Sequence, residues 1–234
     1  VSDARVAIVA DAHLGGPGGD AGPLLAQLRA LAEQGCERLL FMGDLFQAWV
    51  GYPQFEPTGL AELLPLLTVL RAGGLRVDYI EGNRDFFLAR SPYADFFDSV
   101  GDEVVFTFDG VRYLAVHGDG LDDKDVQYRL WRRASKSFPV RLLMRYLPAR
   151  LARRLVDSTE RKLAQTNFKH RVAIPTAAIE RFAARRLQAG HDVLLLGHFH
   201  EERRWRVADG EVWLLPAWFN SRRIEWIEGE GHRG

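Results

Sequence analysis

Seven residues of three ligand types stand at the ends of apolar runs: Asp11 and His13, Asp44, Asn83, His117, then His198 and His200. Carboxylate, amide and imidazole groups suit manganese, iron or zinc, and a chain whose one cysteine is Cys36 has no thiolate set to select a softer metal. Two such cations side by side would lower the pKa of a shared water and clamp the oxygens of a phosphoryl group, so the residue types point to a two-metal hydrolase. Successive motifs lie some 30 to 80 residues apart. Only a fold that brings many strand ends to one edge can gather them, and the carboxyl edge of an open α/β sheet is such a place.

The elements that must do this positioning are legible as alternating strands and helices. Buried strands are expected at Arg5 to Ala10, Arg38 to Met42, Leu75 to Ile80 and Asp192 to Leu196, with amphipathic helices at Pro23 to Gln34, Leu60 to Arg71 and Thr176 to Ala189. Val104 to Phe108 and Val111 to Val116 read as a hairpin across Asp109-Gly110, a strong turn dipeptide. Two or three short antiparallel strands should finish the chain, turning at Asp209-Gly210. Two sheets flanked by helices accommodate this pattern.

Each candidate ligand follows one of these strands. Asp11-Ala12-His13 comes after RVAIVA, Gly43-Asp44 after RLLFM, Glu81-Gly82-Asn83 after LRVDYI, His117 after YLAV, and Gly197-His198-Phe199-His200 after DVLLL. An Asp and a His two residues apart at a strand end point the same way, so both can reach one cation. A glycine before a ligand lets the backbone turn at a crowded mouth. Singly, an Asp-x-His or His-x-His is more often a polar strand end, and a Gly-Asp after a strand a mere turn. Five such pieces, all at apolar strand ends, outweigh that reading. His170, His191 and His232 have no such context and read as exposed or capping histidines.

Composition bounds what else the chain could be. Its 234 residues, 47% hydrophobic and 26% charged, suit one globular domain or one domain carrying an insertion. One cysteine excludes an intramolecular disulfide. No run of 18 apolar residues occurs, and the first residues enter a strand without a charged leader or cleavage site, so neither a spanning segment nor an export signal is expected. The formal net charge of zero conceals a partition: Lys124 to Arg171 carries 14 Lys and Arg against Asp125, Asp157 and Glu160. The rest of the chain is correspondingly acidic, as befits a metal-binding body.

Within that basic segment Val140, Leu143, Tyr146, Leu147, Leu151 and Leu155 recur at near-helical spacing, interleaved with Arg141, Arg145, Arg153 and Arg154. Pro148 should divide the stretch into two short helices. A basic amphipathic pair over residues 138–156 suits an anionic membrane surface, the alternative being a helix face packed on the body with solvated arginines. The charge would also suit nucleic acid, but no aromatic stacking platform accompanies it, which disfavours that partner. Oligomeric state leaves no mark in the sequence.

The motifs DAH, GD, GNRD, HGD and GHFH, spread over residues 5–200, resemble those of the calcineurin-like metallophosphoesterase superfamily. The resemblance implies an α/β fold, a four-layer αββα sandwich, with two divalent metal ions, commonly manganese. Asp11, His13 and His200 would then hold one ion, Asn83, His117 and His198 the other, and Asp44 would bridge them. Asp85 would orient a ligand histidine. The third motif usually reads Gly-Asn-His, whereas Arg84 stands here. An arginine cannot serve as a general acid near neutral pH but grips phosphate oxygens bidentately, which favours a diphosphate ester.

Longer runs, GDLFQAWVG, GNRDFFL and HGDGLDDKDVQYRLWRR, are similar to those of the UDP-2,3-diacylglucosamine hydrolase family, the membrane-associated pyrophosphatases of lipid A biosynthesis. That likeness implies a core of residues 1–121 and 172–234, a helical cap at 122–171, and a peripheral location on the cytoplasmic face of the inner membrane. It assigns catalysis to Asp44, Asn83, Arg84 and His117. It assigns the nucleotide-glycolipid to Asn83, Arg84, Asp125, Tyr128, Ser158, Thr166, Asn167, Lys169 and His198. The chain departs from the family at Gln47, usually acidic, at Tyr52-Pro53, and at Phe199 and Glu201, both expected beside the phosphates. Another nucleotide lipid, a generic phosphodiester, or a non-catalytic binding module are the competing readings.

Overall fold

Val6 and Ile8 face one way from β1 (Arg5–Val9) and Ala7 and Val9 the other, and each pair is buried in a different apolar layer. A strand apolar on both faces has to be covered on both, and that requirement generates the architecture. The computed structural model describes residues 5–15, 19–155, 158 and 174–229. The first sheet has the order β12–β1–β2–β4–β6, formed by Glu225–Glu228, β1, Cys36–Phe41, Arg76–Ile80 and Ser99–Gly101. All its pairings are parallel except that of β12 with β1. The second sheet has the order β10–β11–β9–β8–β7, formed by Arg203–Val207, Gly210–Leu214, Val193–Leu196, Val111–Val116 and Glu103–Phe108.

Three apolar layers join the elements. Between the sheets Val6, Ile8, Leu40 and Ile80 meet Phe106, Tyr113, Ala115 and Leu195. Outside the first sheet lie α1 (Gly22–Arg29) and α2 (Leu60–Ala72), buried through Leu24, Leu28, Leu63 and Leu67. Outside the second lies α6 (Thr176–Gln188), with Ile179, Ala183 and Leu187 against Leu114, Leu194 and Leu196. The result is the four-layer αββα sandwich implied by the motifs.

Two expectations need correction in detail. Val207 pairs with Gly210, so the last hairpin turns at Ala208-Asp209, one residue before Asp209-Gly210. The closing strands are also not one antiparallel group. β11 joins β9 in parallel and β12 crosses to the other sheet, because each sheet had an open edge beside it. The first hairpin turns as expected, with Asp109 and Gly110 both at positive φ, 50° and 76°.

Between β8 and α6 the described chain is helical at α3 (Val126–Ser135), α4 (Phe138–Tyr146) and α5 (residues 149–155), with Pro148 in the break. On α4 Phe138, Leu142, Leu143 and Tyr146 are exposed, while Val140 and Leu147 are half-buried. The outward apolar stripe thus includes Phe138 and Leu142 and excludes two residues that periodicity alone would place on it. Among the described residues every exposed large apolar side chain except Val69 and Val105 lies between Val126 and Leu155. No described helix is long and apolar enough to cross a membrane.

Candidate metal centre

The parallel strands β1, β2 and β4 of one sheet and β8 and β9 of the other end at a common edge, where the candidate ligands follow them. The backbone there is unusual: Asp11, His13, Asp44, His198 and His200 have φ of 48°, 47°, 52°, 67° and 54°. A left-handed conformation costs a non-glycine residue about 1–2 kcal/mol. Five of the nine described non-glycine residues that adopt it are candidate ligands, a concentration of strain typical of functional sites. Gly43, at φ 90°, has no room for a side chain: a Cβ would lie 2.7 Å from both Gly82 N and His117 Nδ1. At Gly82 a Cβ would collide with the Asp44 carboxylate. The loops after β2 and β4 therefore touch, and the short parallel pair β3 (Trp49–Val50) and β5 (Asp85–Phe86) joins them just beyond.

Donor atoms of Asp11, His13 and His200 all lie within 4.8 Å of one another, and so do those of Asp11, Asp44 and His117. His200 Nε2 is 3.3 Å from Asp11 Oδ1 and 3.4 Å from His13 Nε2. His117 Nε2 is 3.1 Å from Asn83 Oδ1 and 3.8 Å from Asp44 Oδ1. His198 stands edge-on to His117, ring centroids 5.2 Å apart, and its backbone N–H donates to Asp11 Oδ2 at 2.8 Å. All seven candidates are thus brought together, with Asp11 common to both donor groups. Asp11 Oδ1, buried and without a hydrogen bond, has His200 Nε2 at 3.3 Å, and His13 turns its Nε2 to the same His200 atom at 3.4 Å. Lone pairs converging in this way, all on nitrogen or oxygen, fit divalent cations.

The electrostatics suit ligation at His13 and His198. Burial, with Arg84 nearby, pushes His13 well down, and burial with His117 nearby brings His198 to about 4, so both are neutral imidazoles as ligation requires. Burial would also lower His117, but Asp44, Asp11 and Asp119 outweigh it and hold it at about 9, so a cation bound there would have to displace a proton from this imidazole. Burial pushes Asp11 up, yet His200 and the other imidazoles keep it below the ordinary carboxylate range. Burial raises Asp44, and burial together with Asp44 raises Asp85 to about 7.

Supporting groups differ from expectation. Asp85 orients no histidine: its Oδ2 accepts the backbone N–H groups of Asp44 at 2.9 Å and Gly82 at 2.8 Å. His117 is instead oriented by the Met42 carbonyl, which accepts from Nδ1 at 2.7 Å and leaves Nε2 for a ligand. Arg84 is buried, with its backbone N–H on Asp44 Oδ1 at 2.9 Å and its guanidinium hydrogen-bonded to Gln47 Oε1. Gln47 is therefore one partner of the Arg84 guanidinium, and Asp44 another, its Oδ2 3.3 Å from Arg84 Nε. Phe199 is half-buried, packed against the layer under α6 and edge-on to the His198 ring at 5.3 Å, and Glu201 is exposed.

On α3, Asp125 is the N-cap, accepting Tyr128 N at 2.8 Å, and the Tyr128 hydroxyl donates to Asp119 Oδ2 at 2.6 Å. Asp119 also accepts from Arg132 Nε at 2.6 Å, and Lys136 donates to Gly82 O at 2.9 Å. Tyr128, Arg132 and Lys136 occupy one helix face at i, i+4 and i+8, and part of the basic segment thereby faces the acidic body. That spacing was the available signal for Arg132 and Lys136. Ser158 is helical and half-exposed, whereas Thr166, Asn167 and Lys169 lie outside the described residues, as do His170 and His232. His191 accompanies the end of α6, Nδ1 2.8 Å from Arg186 O.

No family model matches the chain. Among curated proteins it is 31% identical over 226 residues to a UDP-2,3-diacylglucosamine hydrolase of Bordetella pertussis, covering 90% of this chain and 84% of that one. It is 30% identical over 190 residues to the protein of that name from Ralstonia nicotianae, covering 77% and 71%. With the Edwardsiella ictaluri protein of the same name it shares 29% identity over 213 residues, covering 87% and 82%.

Proposed function

Since the chain belongs to the UDP-2,3-diacylglucosamine hydrolase family, we propose that it hydrolyses UDP-2,3-diacylglucosamine to UMP and 2,3-diacylglucosamine 1-phosphate with two divalent cations, manganese being the first choice. The observation that carries this reading is the convergence of six nitrogen and oxygen donors, from Asp11, His13, Asp44, Asn83, His117 and His200, at five strand ends. Asp11, His13 and His200 would hold one cation, Asn83, His117 and His198 the other, with Asp44 between. Such cations supply an activated water and neutralise charge on phosphate oxygens.

The chain's own groups do the rest. Arg84 donates its guanidinium to phosphate oxygens and transfers no proton, so the reaction it suits expels a phosphate that leaves unprotonated. Asp85 fixes the Asp44 backbone, and the Met42 carbonyl fixes the His117 ring. In this reading residues 122–171 would be the cap that receives the glycolipid, on a core of 1–121 and 172–234, and Asp125, Tyr128, Ser158, Thr166, Asn167 and Lys169 would be its substrate contacts.

Metal-free protein incubated with UDP-2,3-diacylglucosamine should release UMP, followed by mass spectrometry, only when manganese is restored. No UMP from protein that still cleaves bis-p-nitrophenyl phosphate would mean that the cap serves another substrate.

The outward stripe of Phe138, Leu142, Leu143 and Tyr146, exposed by 63%, 46%, 60% and 72%, supports peripheral attachment to the cytoplasmic face of the inner membrane. Arg141 and Arg145 lie over the Phe138 and Tyr146 rings at 5.0 and 5.8 Å, which puts charge and apolar surface together. Each basic group near an anionic surface is worth about 1 kcal/mol. Reversing both, Arg141→Glu with Arg145→Glu, should therefore weaken binding to anionic liposomes at least about tenfold in a sedimentation assay. Unchanged binding would return these helices to the role of a solvated surface.

A further inference from the structure

Lys136 follows the last turn of α3, in the inserted segment, yet its ammonium reaches the loop that carries Asn83. Its Nζ donates to Gly82 O at 2.9 Å and lies 3.6 Å from Glu81 Oε2, and its side chain is only 16% exposed. The amide of Gly82 is held from the other side, donating to Asp85 Oδ2 at 2.8 Å. Both polar groups of the residue before Asn83 are thus fixed, one by the body and one by the insertion. The far end of the same loop is gripped too. Phe86, directly after Asp85, meets Trp131 of α3 edge-on at 6.4 Å and lies under Lys136 Nζ at 5.9 Å.

We propose that Lys136 is a positioning residue that ties the helical insertion to the Asn83 loop, so that a cation held through Asn83 and His117 binds fully only while α3 sits on the body. The inference rests on the reading of Asn83 as a ligand. A neutral amide attracts a cation less than a carboxylate does, so its contribution depends on orientation, and the Gly82 peptide sets that orientation. Removing the ammonium leaves the Gly82 carbonyl and the mostly buried Glu81 carboxylate without their cationic partner, and the loop relaxes to rehydrate them. Coupling of this kind is reciprocal. Whatever seats α3, including a ligand in the cap, tightens the cation, and the cation helps to seat α3.

The test is a manganese titration of the metal-free, full-length protein by calorimetry, with no substrate present. Wild type should take up two ions. Lys136→Met should weaken one of them by about 10 to 100 fold, the cost usual for losing a group that orients a ligand, and leave the other unchanged. Lys136→Arg, which keeps the charge and can reach the same carbonyl, should restore the affinity. Arg129→Met, which removes an exposed charge from the same helix, should behave as wild type. Wild-type affinity at both sites in Lys136→Met would overturn the proposal, as would equal weakening in Arg129→Met. Wild type that takes up no manganese would instead remove the ligand reading beneath it, and the proposal with it. Should Lys136→Met fail to fold, Glu81→Gln provides a second test, since it deprives the lysine of its carboxylate: weakening at one ion supports the proposal and none overturns it.

Discussion

Asp44→Asn should lower kcat/KM for the diphosphate substrate by at least about a thousandfold while leaving the chain folded. The loss follows from position. Asp44 is 2% exposed, its Oδ1 lies 3.8 Å from His117 Nε2, and its donor group overlaps that of Asp11. A cation there stabilises transition-state charge by several kcal/mol, and each 1.36 kcal/mol is a factor of about ten. Preservation of the fold follows from the choice of asparagine. It tolerates the left-handed backbone at φ 52°, and its Oδ1 can still accept the Arg84 N–H that Asp44 accepts at 2.9 Å. Alanine would add about 1–2 kcal/mol of backbone strain and confuse the two effects. In the metal-free protein the asparagine variant should still melt as a folded chain, since the buried carboxylate it removes is disfavoured by burial while the counter-charge it takes from His117 and Arg84 is the opposing cost. The measurements are steady-state kinetics with manganese and a thermal melt without it. Activity within tenfold of wild type would end the two-metal assignment.

The seven candidate ligands were legible because each ends a strand whose apolar run is plain in the sequence, and because a chain must turn where such a run stops. The four layers were legible for a related reason. RVAIVA and DVLLL are apolar on both faces, which only a covered sheet allows. What the sequence hid was pairing over long range. Nothing in Glu225 to Glu228 says that this strand crosses to the first sheet, since the parallel and antiparallel choices are made by neighbours more than 200 residues away. Backbone partners were equally hidden. The Met42 carbonyl that orients His117 has no side-chain signature, and Asp85 serves two peptide N–H groups where a histidine had been expected. The basic insertion was half read. Arg141 and Arg145 do sit beside exposed rings, but Arg132 and Lys136 point inward, because Asp119 and Glu81 supply acidic partners that only the fold brings near.

Arg84→Met should reduce kcat/KM for the diphosphate substrate by about 100 to 1000 fold, the usual cost of removing one donor aimed at developing negative charge. Arg84 is well placed for such a role. It is 8% exposed, its backbone N–H is held by Asp44 Oδ1, and its guanidinium is hydrogen-bonded to Gln47 Oε1 with Nε 3.3 Å from Asp44 Oδ2, so the fork is oriented beside the candidate ligands. Methionine fills most of the volume but takes the guanidinium from both the Gln47 amide and the Asp44 carboxylate, so a thermal melt beside the kinetics separates lost turnover from lost stability. Lysine at this position should recover only part of the rate, since a point charge cannot grip two oxygens at once. The leaving group supplies the sharper distinction. With a diphosphate the departing group carries oxygens that an arginine can hold, whereas bis-p-nitrophenyl phosphate expels a phenolate that offers it far less. The methionine variant should therefore lose more against the diphosphate than against the phenyl ester when both are measured on the same preparation. Equal losses would place Arg84 on the attacked phosphoryl group rather than on the departing one, and unchanged rates would remove it from the phosphates altogether.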